Sequence, residues 1–335
     1  MNKLLLRLGR FLKPSTKDTG LELLEMFWSD YSQYVKPYIA SFLSDVTGTD
    51  SLLYTLTAKS NRFRSATSIA VAQLLDNSLE TVLPIAGASE LIHAAIIIQD
   101  DVADGDIDRR GCLAAWKEFG LCESLYSAMM GYTICLDMLA GIENENRAWA
   151  LLEFNNAYRM VCQGQIEQSR LKLADTISQE TFDRVHACKG SIGIWALSAS
   201  ARLCGTEAIS QQMRQFATLL SKAGALKNDV ESFMGTSFNE PIDTDIRSGI
   251  VTQPLYMFFQ GAADQDKTIF SEAFGKEQDE LAERASTIVK ESGVVTLCVQ
   301  MINEIVDKAI LAIEGLPSTQ NKDLLINWAN YHRLN

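Results

Sequence analysis

Proline is scarce in this chain, with 6 in 335 residues. A helix accepts proline readily only in its first turn, so a chain this poor in it can run long helices with few breaks. Cysteine occurs seven times, an odd number, and never as a Cys-x-x-Cys pair. That speaks against a zinc knuckle and a disulfide framework, and fits reduced thiols in the cytoplasm. No run reaches the ~18 apolar residues a membrane span requires. Linker composition is missing too: there is no Gly/Ser tract and no long charge block, so one large domain is expected rather than two. Cations are outnumbered, 30 Lys and Arg against 42 Asp and Glu, for a formal charge of -12. A surface of that sign does not attract a nucleic-acid backbone, and an anionic substrate has to be met by local cations.

What is present is helix-forming and apolar. Hydrophobic residues make up 47% of the chain, enough for a sizeable core, and Ala, Leu, Ile and Glu recur in long stretches, which predicts an all-α fold. Residues 1–18 form a short basic amphipathic segment; Arg7 and Arg10 interrupt any signal-peptide core, so it is expected to pack or fray, with a transient membrane-surface contact as the alternative. Residues 19–335 are expected to form the single helical domain. A helix is predicted over 21–46 with a kink or break at Pro37, followed by helices over 65–75, 121–142, 147–171, 183–204 and three near the C-terminus.

The most informative stretch is Leu91 to Gly111, LIHAAIIIQDDVADGDIDRRG. Its first half is an apolar helix interrupted only by His93; its second half carries Asp100, Asp101 and Asp104. At 3.6 residues per turn Asp100 and Asp104 share a helix face, with Asp101 beside them. Three such carboxylates repel one another unless a cation joins them, and hard oxygen donors on one face suit Mg²⁺, which completes its octahedron with waters and phosphate oxygens. Arg109 and Arg110 follow, and guanidinium forks are natural phosphate partners.

This constellation, Asp100-Asp101-Val102-Ala103-Asp104 and then Arg109-Arg110-Gly111, resembles the first aspartate-rich motif of the trans-isoprenyl diphosphate synthases (polyprenyl synthetases). The resemblance runs from about residue 20 to the C-terminus. It implies an isoprenoid-synthase-type helical bundle around a deep apolar cavity. It also implies up to three Mg²⁺ ions, an allylic diphosphate and isopentenyl diphosphate as substrates, and a homodimer. It makes Asp100, Asp101, Asp104 and Lys189 catalytic, and assigns Arg64, His93, Arg109, Arg110, Gln165 and Lys189 to diphosphate binding. Ala95 and Ile96, five and four residues before Asp100, occupy the positions where a bulky aromatic shortens the product in the family, so a C15–C20 or longer chain is implied.

The departures from the pattern are equally specific. Asn61 stands where the family has Lys, although Arg62 offers a charge next to it; Gly190 replaces Thr after Lys189, and Ile250 replaces another Lys. The second aspartate-rich motif reads Asn228-Asp229-Val230-Glu231-Ser232, with Asp229, Asn228 and Ser232 as candidate metal ligands of reduced charge. Asn-Asp-x-x-Ser also resembles part of the metal motif of class I terpene cyclases. Two other readings therefore stay open: a terpene synthase that acts on a prenyl diphosphate without isopentenyl diphosphate, and a non-catalytic partner subunit of a prenyl synthase.

Overall fold

The computed structural model describes residues 25–334, apart from 59, 61, 110, 235–243, 277 and the side chain of Ser232. The expected segment 1–18 and the residues Asn61 and Arg110 lie outside the described residues. The architecture is all-α: α1 (Lys36–Leu43), α2 (Asp50–Thr57), α3 (Phe63–Leu74), α4 (Leu83–Asp104), α5 (Leu121–Ala140), α6 (Arg147–Arg170), α7 (Gln179–Lys189), α8 (Ser191–Cys204) and α9 (Glu207–Met234). There follow α10 (Gln253–Gly261), α11 (Asp264–Ala273), α12 (Asp279–Glu291), α13 (Val294–Ala312) and α14 (Gln320–Tyr331). Among the described residues the only strands are β1 (Asp108–Arg109) and β2 (Cys112–Leu113), an antiparallel hairpin after α4.

Two predicted boundaries differ from the structure, each for a local reason. Pro37 does not break its helix; it sits in the first turn of α1, where its missing N–H is harmless, and a π-helical turn, Tyr31–Val35, leads into it. The helix predicted over 183–204 is two helices that part at Gly190. A Cβ on Gly190 would lie 1.6 Å from Ser221 Oγ, so α9 presses on the chain at a point where only glycine fits.

Two apolar cores share a middle layer. α3 and α8 are buried on several faces: Ala66, Ala70, Val71, Ile194, Leu197 and Ala201 belong to the core built with α9 and the C-terminal helices. Ile69, Ile192, Trp195, Ala196 and Ala199 belong to the other, built with α4, α5 and α6. α4 runs through this second core with Ile85, Leu91, Ile92, Ala95 and Ile98 wholly buried, each large side chain contributing roughly 1.5–3 kcal/mol. Its polar end emerges where α6 and α7 finish.

Candidate active site

α4 ends at Asp104, and Gly105 caps it in the left-handed conformation with its N–H on Asp101 O. Asp100, Asp101 and Asp104 therefore occupy the last turn, the end of a helix that disfavours negative charge. Two cations, Arg109 and Lys189, and the amide of Gln165 answer that. The β1–β2 hairpin turns through Gly111 (φ 81°) and brings Arg109 back, where its Nε donates to Asp101 Oδ1 at 2.6 Å and its Nη2 to Asp106 Oδ2 at 2.6 Å. Asp101 is 1% exposed, and burial raises its carboxyl to about 6 against the pull of Arg109. Through Arg109 it anchors the hairpin to the end of α4.

Asp100 and Asp104 face the other way. Gln165 Nε2 on α6 donates to Asp100 Oδ1 at 2.7 Å. Burial raises the Asp100 carboxyl, Gln165 and the Lys189 ammonium oppose that, and Asp104 adds to it. Asp104 is likewise raised by burial and by Asp106, and lowered by Lys189. Lys189 is exposed at the C-terminal end of α7, where its charge also suits the helix dipole. The close approach has one cause: a Cβ on Gly164 would lie 2.7 Å from Cys188 Cβ, so only glycine lets α6 and α7 touch there. The next residue on each helix is then Gln165, which bonds Asp100, or Lys189, whose charge helps lower Asp100 and Asp104.

The remaining predicted residues are more dispersed. Arg64 and His93 are half-buried, with the Arg64 guanidinium 4.5 Å over the Phe63 ring. Ala95 and Ile96 are buried on α4, and Ala95 Cβ lies 3.4 Å from where a Gly131 side chain would begin, so it takes part in the α4–α5 contact. Asn228 is exposed and Asp229 is half-buried, with Oδ2 3.4 Å from His186 Nε2.

Arg62 does not substitute for the absent lysine. It is 3% exposed and turned inward, with Nη1 3.3 Å from Glu90 Oε2, Nη2 on the Leu56 and Ala58 carbonyls, and its guanidinium 4.2 Å over the Tyr31 ring. Glu90, which sequence reasoning passed over, also accepts from the N–H and hydroxyl of Ser65 at the start of α3. Its signal was an acid alone in the apolar half of α4. His186 was also missed, although it lies three residues before Lys189.

Among the described residues no three His, Cys, Asp or Glu side chains converge closely enough to hold a metal by themselves. Asp100 and Asp104 are hard oxygen donors, with Asp104 exposed, which fits an ion that keeps its waters and takes the rest of its shell from phosphate.

Comparison with known proteins agrees. The family model for polyprenyl synthetase matches residues 47–291. Heptaprenyl diphosphate synthase component 2 of Geobacillus stearothermophilus is 26% identical over 292 residues, covering 84% of this chain and 88% of that protein. A short chain isoprenyl diphosphate synthase of Methanocaldococcus jannaschii is 25% identical over 247 residues, covering 71% and 74%. Among solved structures, a polyprenyl synthase from Caulobacter crescentus CB15, complexed with calcium and isoprenyl diphosphate, superposes with a TM-score of 0.84 at 21% identity, covering 95% of this chain and 98% of that one. With the motif, the bundle and a family model that spans most of its length in agreement, the chain belongs to the polyprenyl synthetase family, the transferases that make trans-prenyl diphosphates.

Proposed function

We propose that this chain ionises an allylic diphosphate and condenses it head-to-tail with isopentenyl diphosphate, giving a trans-prenyl diphosphate of C15–C20 or longer. The observation that carries this reading is the junction of α4, α6 and α7, where Gln165 bonds Asp100 and Lys189 acts on both Asp100 and Asp104. Asp100 and Asp104 would hold Mg²⁺, which when bound withdraws charge from the leaving diphosphate. Lys189 supplies a fixed cation where that charge grows, and Gln165 holds the Asp100 carboxylate in place. Arg109 reaches the diphosphate by giving up Asp106, the more exposed of its two partners. Arg64, His93 and Arg110 hold isopentenyl diphosphate, whose double bond attacks the allylic cation before a proton is lost. Ala95 and Ile96 place no aromatic below the acidic stretch, which leaves room for a growing chain.

A second reading, a terpene synthase that acts on a prenyl diphosphate alone, is favoured by the inward turn of Arg62, which leaves Asn61 without a cationic substitute from that neighbour. A partner subunit is the third, and its support is the likeness to a synthase component. Exposed apolar side chains on α5 and α6, among them Leu121, Tyr126, Met129 and Leu152, support a homodimer. No helix among the described residues is long and apolar enough to cross a membrane, and all seven cysteines are unpaired, which supports a cytoplasmic site of action.

One experiment separates these readings. The purified chain is incubated with Mg²⁺ and dimethylallyl, geranyl, farnesyl or geranylgeranyl diphosphate, with and without isopentenyl diphosphate, and products are identified by mass spectrometry. Longer diphosphates that depend on isopentenyl diphosphate are expected. A hydrocarbon or alcohol from one prenyl diphosphate alone would replace this reading with the terpene synthase. No turnover in a folded chain would replace it with the partner subunit.

A further inference from the structure

Ala95 and Ile96 leave α4 without an aromatic ring below the acidic stretch, yet rings stand there from other helices. Gln99 lies four residues after Ala95 and three after Ile96, so the three share one face of α4. On that face the Gln99 amide meets the hydroxyl of Tyr158 on α6, with Nε2 at 3.1 Å and Oε1 at 3.2 Å. Tyr158 is seven residues, two turns, before Gln165, which bonds Asp100 from the same side of α6. Its backbone is thus ~10 Å deeper along α6 than that of Gln165.

The second ring comes from α5. Ala95 Cβ lies 3.4 Å from where a side chain on Gly131 would begin, and the residue after that glycine is Tyr132. Tyr132 stacks on Tyr158 with ring centroids 5.0 Å apart and on Phe154 at 5.8 Å, while its hydroxyl donates to Asn155 Oδ1 at 2.5 Å. Phe154 is wholly buried and backs onto Trp195 of α8 at 4.9 Å. The two tyrosines, by contrast, are only half-buried in front of it. Each hydroxyl is held by a side-chain amide from a helix, and the rings brace one another. Rings packed in this way admit no chain between them.

We infer that Tyr132 and Tyr158 determine product length, closing from α5 and α6 the path that the small Ala95 leaves open on α4. The product is held to C20 or less, the short end of the range proposed above. A depth of ~10 Å takes a few isoprene units and not a long polyprenyl chain. The inference rests on the condensation reading given under the proposed function.

The test uses the full chain with Mg²⁺, isopentenyl diphosphate and geranyl, farnesyl or geranylgeranyl diphosphate, the products being sized by mass spectrometry. The wild type is expected to stop at C20 or below and to leave geranylgeranyl diphosphate unextended. Tyr132→Ala and Tyr158→Ala are expected to give products longer by one or more isoprene units. Tyr158→Phe keeps the ring and is expected to keep the wild-type length, a contrast that a general loosening of the fold does not produce. Wild-type products beyond C20, or unchanged length in alanine variants that turn over, overturn the inference alone. The wild-type ceiling needs no variant, so it decides the matter where an alanine variant fails to fold. No isopentenyl-dependent product from any of these substrates in the folded wild type overturns the proposed reaction, and the inference with it.

Discussion

Gly164 and Cys188 are in contact so close that a methyl group on the glycine would lie 2.7 Å from the cysteine Cβ. The residues after them are Gln165, which donates to Asp100, and Lys189, whose charge helps lower the Asp100 carboxyl. The small residue and the two functional ones form a single device: the helices approach, and the side chains arrive.

Gly164→Ala therefore has two costs. Overpacking at this contact is expected to destabilise the fold by about 1–3 kcal/mol, and a shift near 1 Å at the site to cost on the order of a hundredfold in kcat/KM. Adding Cys188→Gly removes the clashing carbon and leaves the next contact at 3.5 Å, so the double variant should recover activity. Urea denaturation and product formation, measured on both variants, check this; a double variant no better than the single one would separate the glycine from the site.

Gln165→Leu and Lys189→Ala should fail in different ways. The amide acts through Asp100, so its loss is expected to lower kcat/KM roughly tenfold to a hundredfold and to be partly rescued by raising Mg²⁺. In the proposed reaction Lys189 acts on the diphosphate directly, so its loss is expected to cost about a hundredfold or more with no rescue. Initial rates across a Mg²⁺ series distinguish them.

Glu90 is a structural acid. Glu90→Leu leaves the Arg62 guanidinium buried and without its carboxylate, which is expected to cost roughly 3–5 kcal/mol. Removing both charges in Arg62→Met/Glu90→Leu should be less harmful than the single change, because no buried ion is left alone. Chemical denaturation of the two variants decides between a pair that holds the fold and two independent residues.

His332 makes the fold sensitive to acid. The imidazole lies against Gly224, its Nδ1–H donating to Trp328 O at 3.0 Å, and burial holds it down at about 4. Between pH 4 and the ordinary 6.5 of an imidazole the unfolded chain thus binds a proton that the folded chain refuses. This contribution is whole above 6.5 and is lost as pH falls towards 4, by up to roughly 3 kcal/mol. The urea midpoint of the wild type should drop more than that of His332→Gln over the same window, and parallel drops would contradict the assignment.

Much of this protein is written locally. The period of its apolar residues gives the helices, the few prolines give their length, and Asp100 and Asp104 share a face because the helical repeat requires it. The first acidic stretch was legible for that reason: its residues lie within a turn of one another, and neighbours in sequence are neighbours in space. What the sequence could not decide is which way each charged side chain turns once the helices pack. Asp101 follows Asp100 directly yet is buried on Arg109, while Arg62, beside an expected cation site, points into the core at Glu90. The break at Gly190 comes from Ser221 on α9, and Asp229 on that same helix finds His186 of α7 beside it. These partners are 28 to 43 residues away or arrive through a hairpin, and a charge buried in an apolar interior goes wherever a counter-charge is held for it, which only the packed bundle determines.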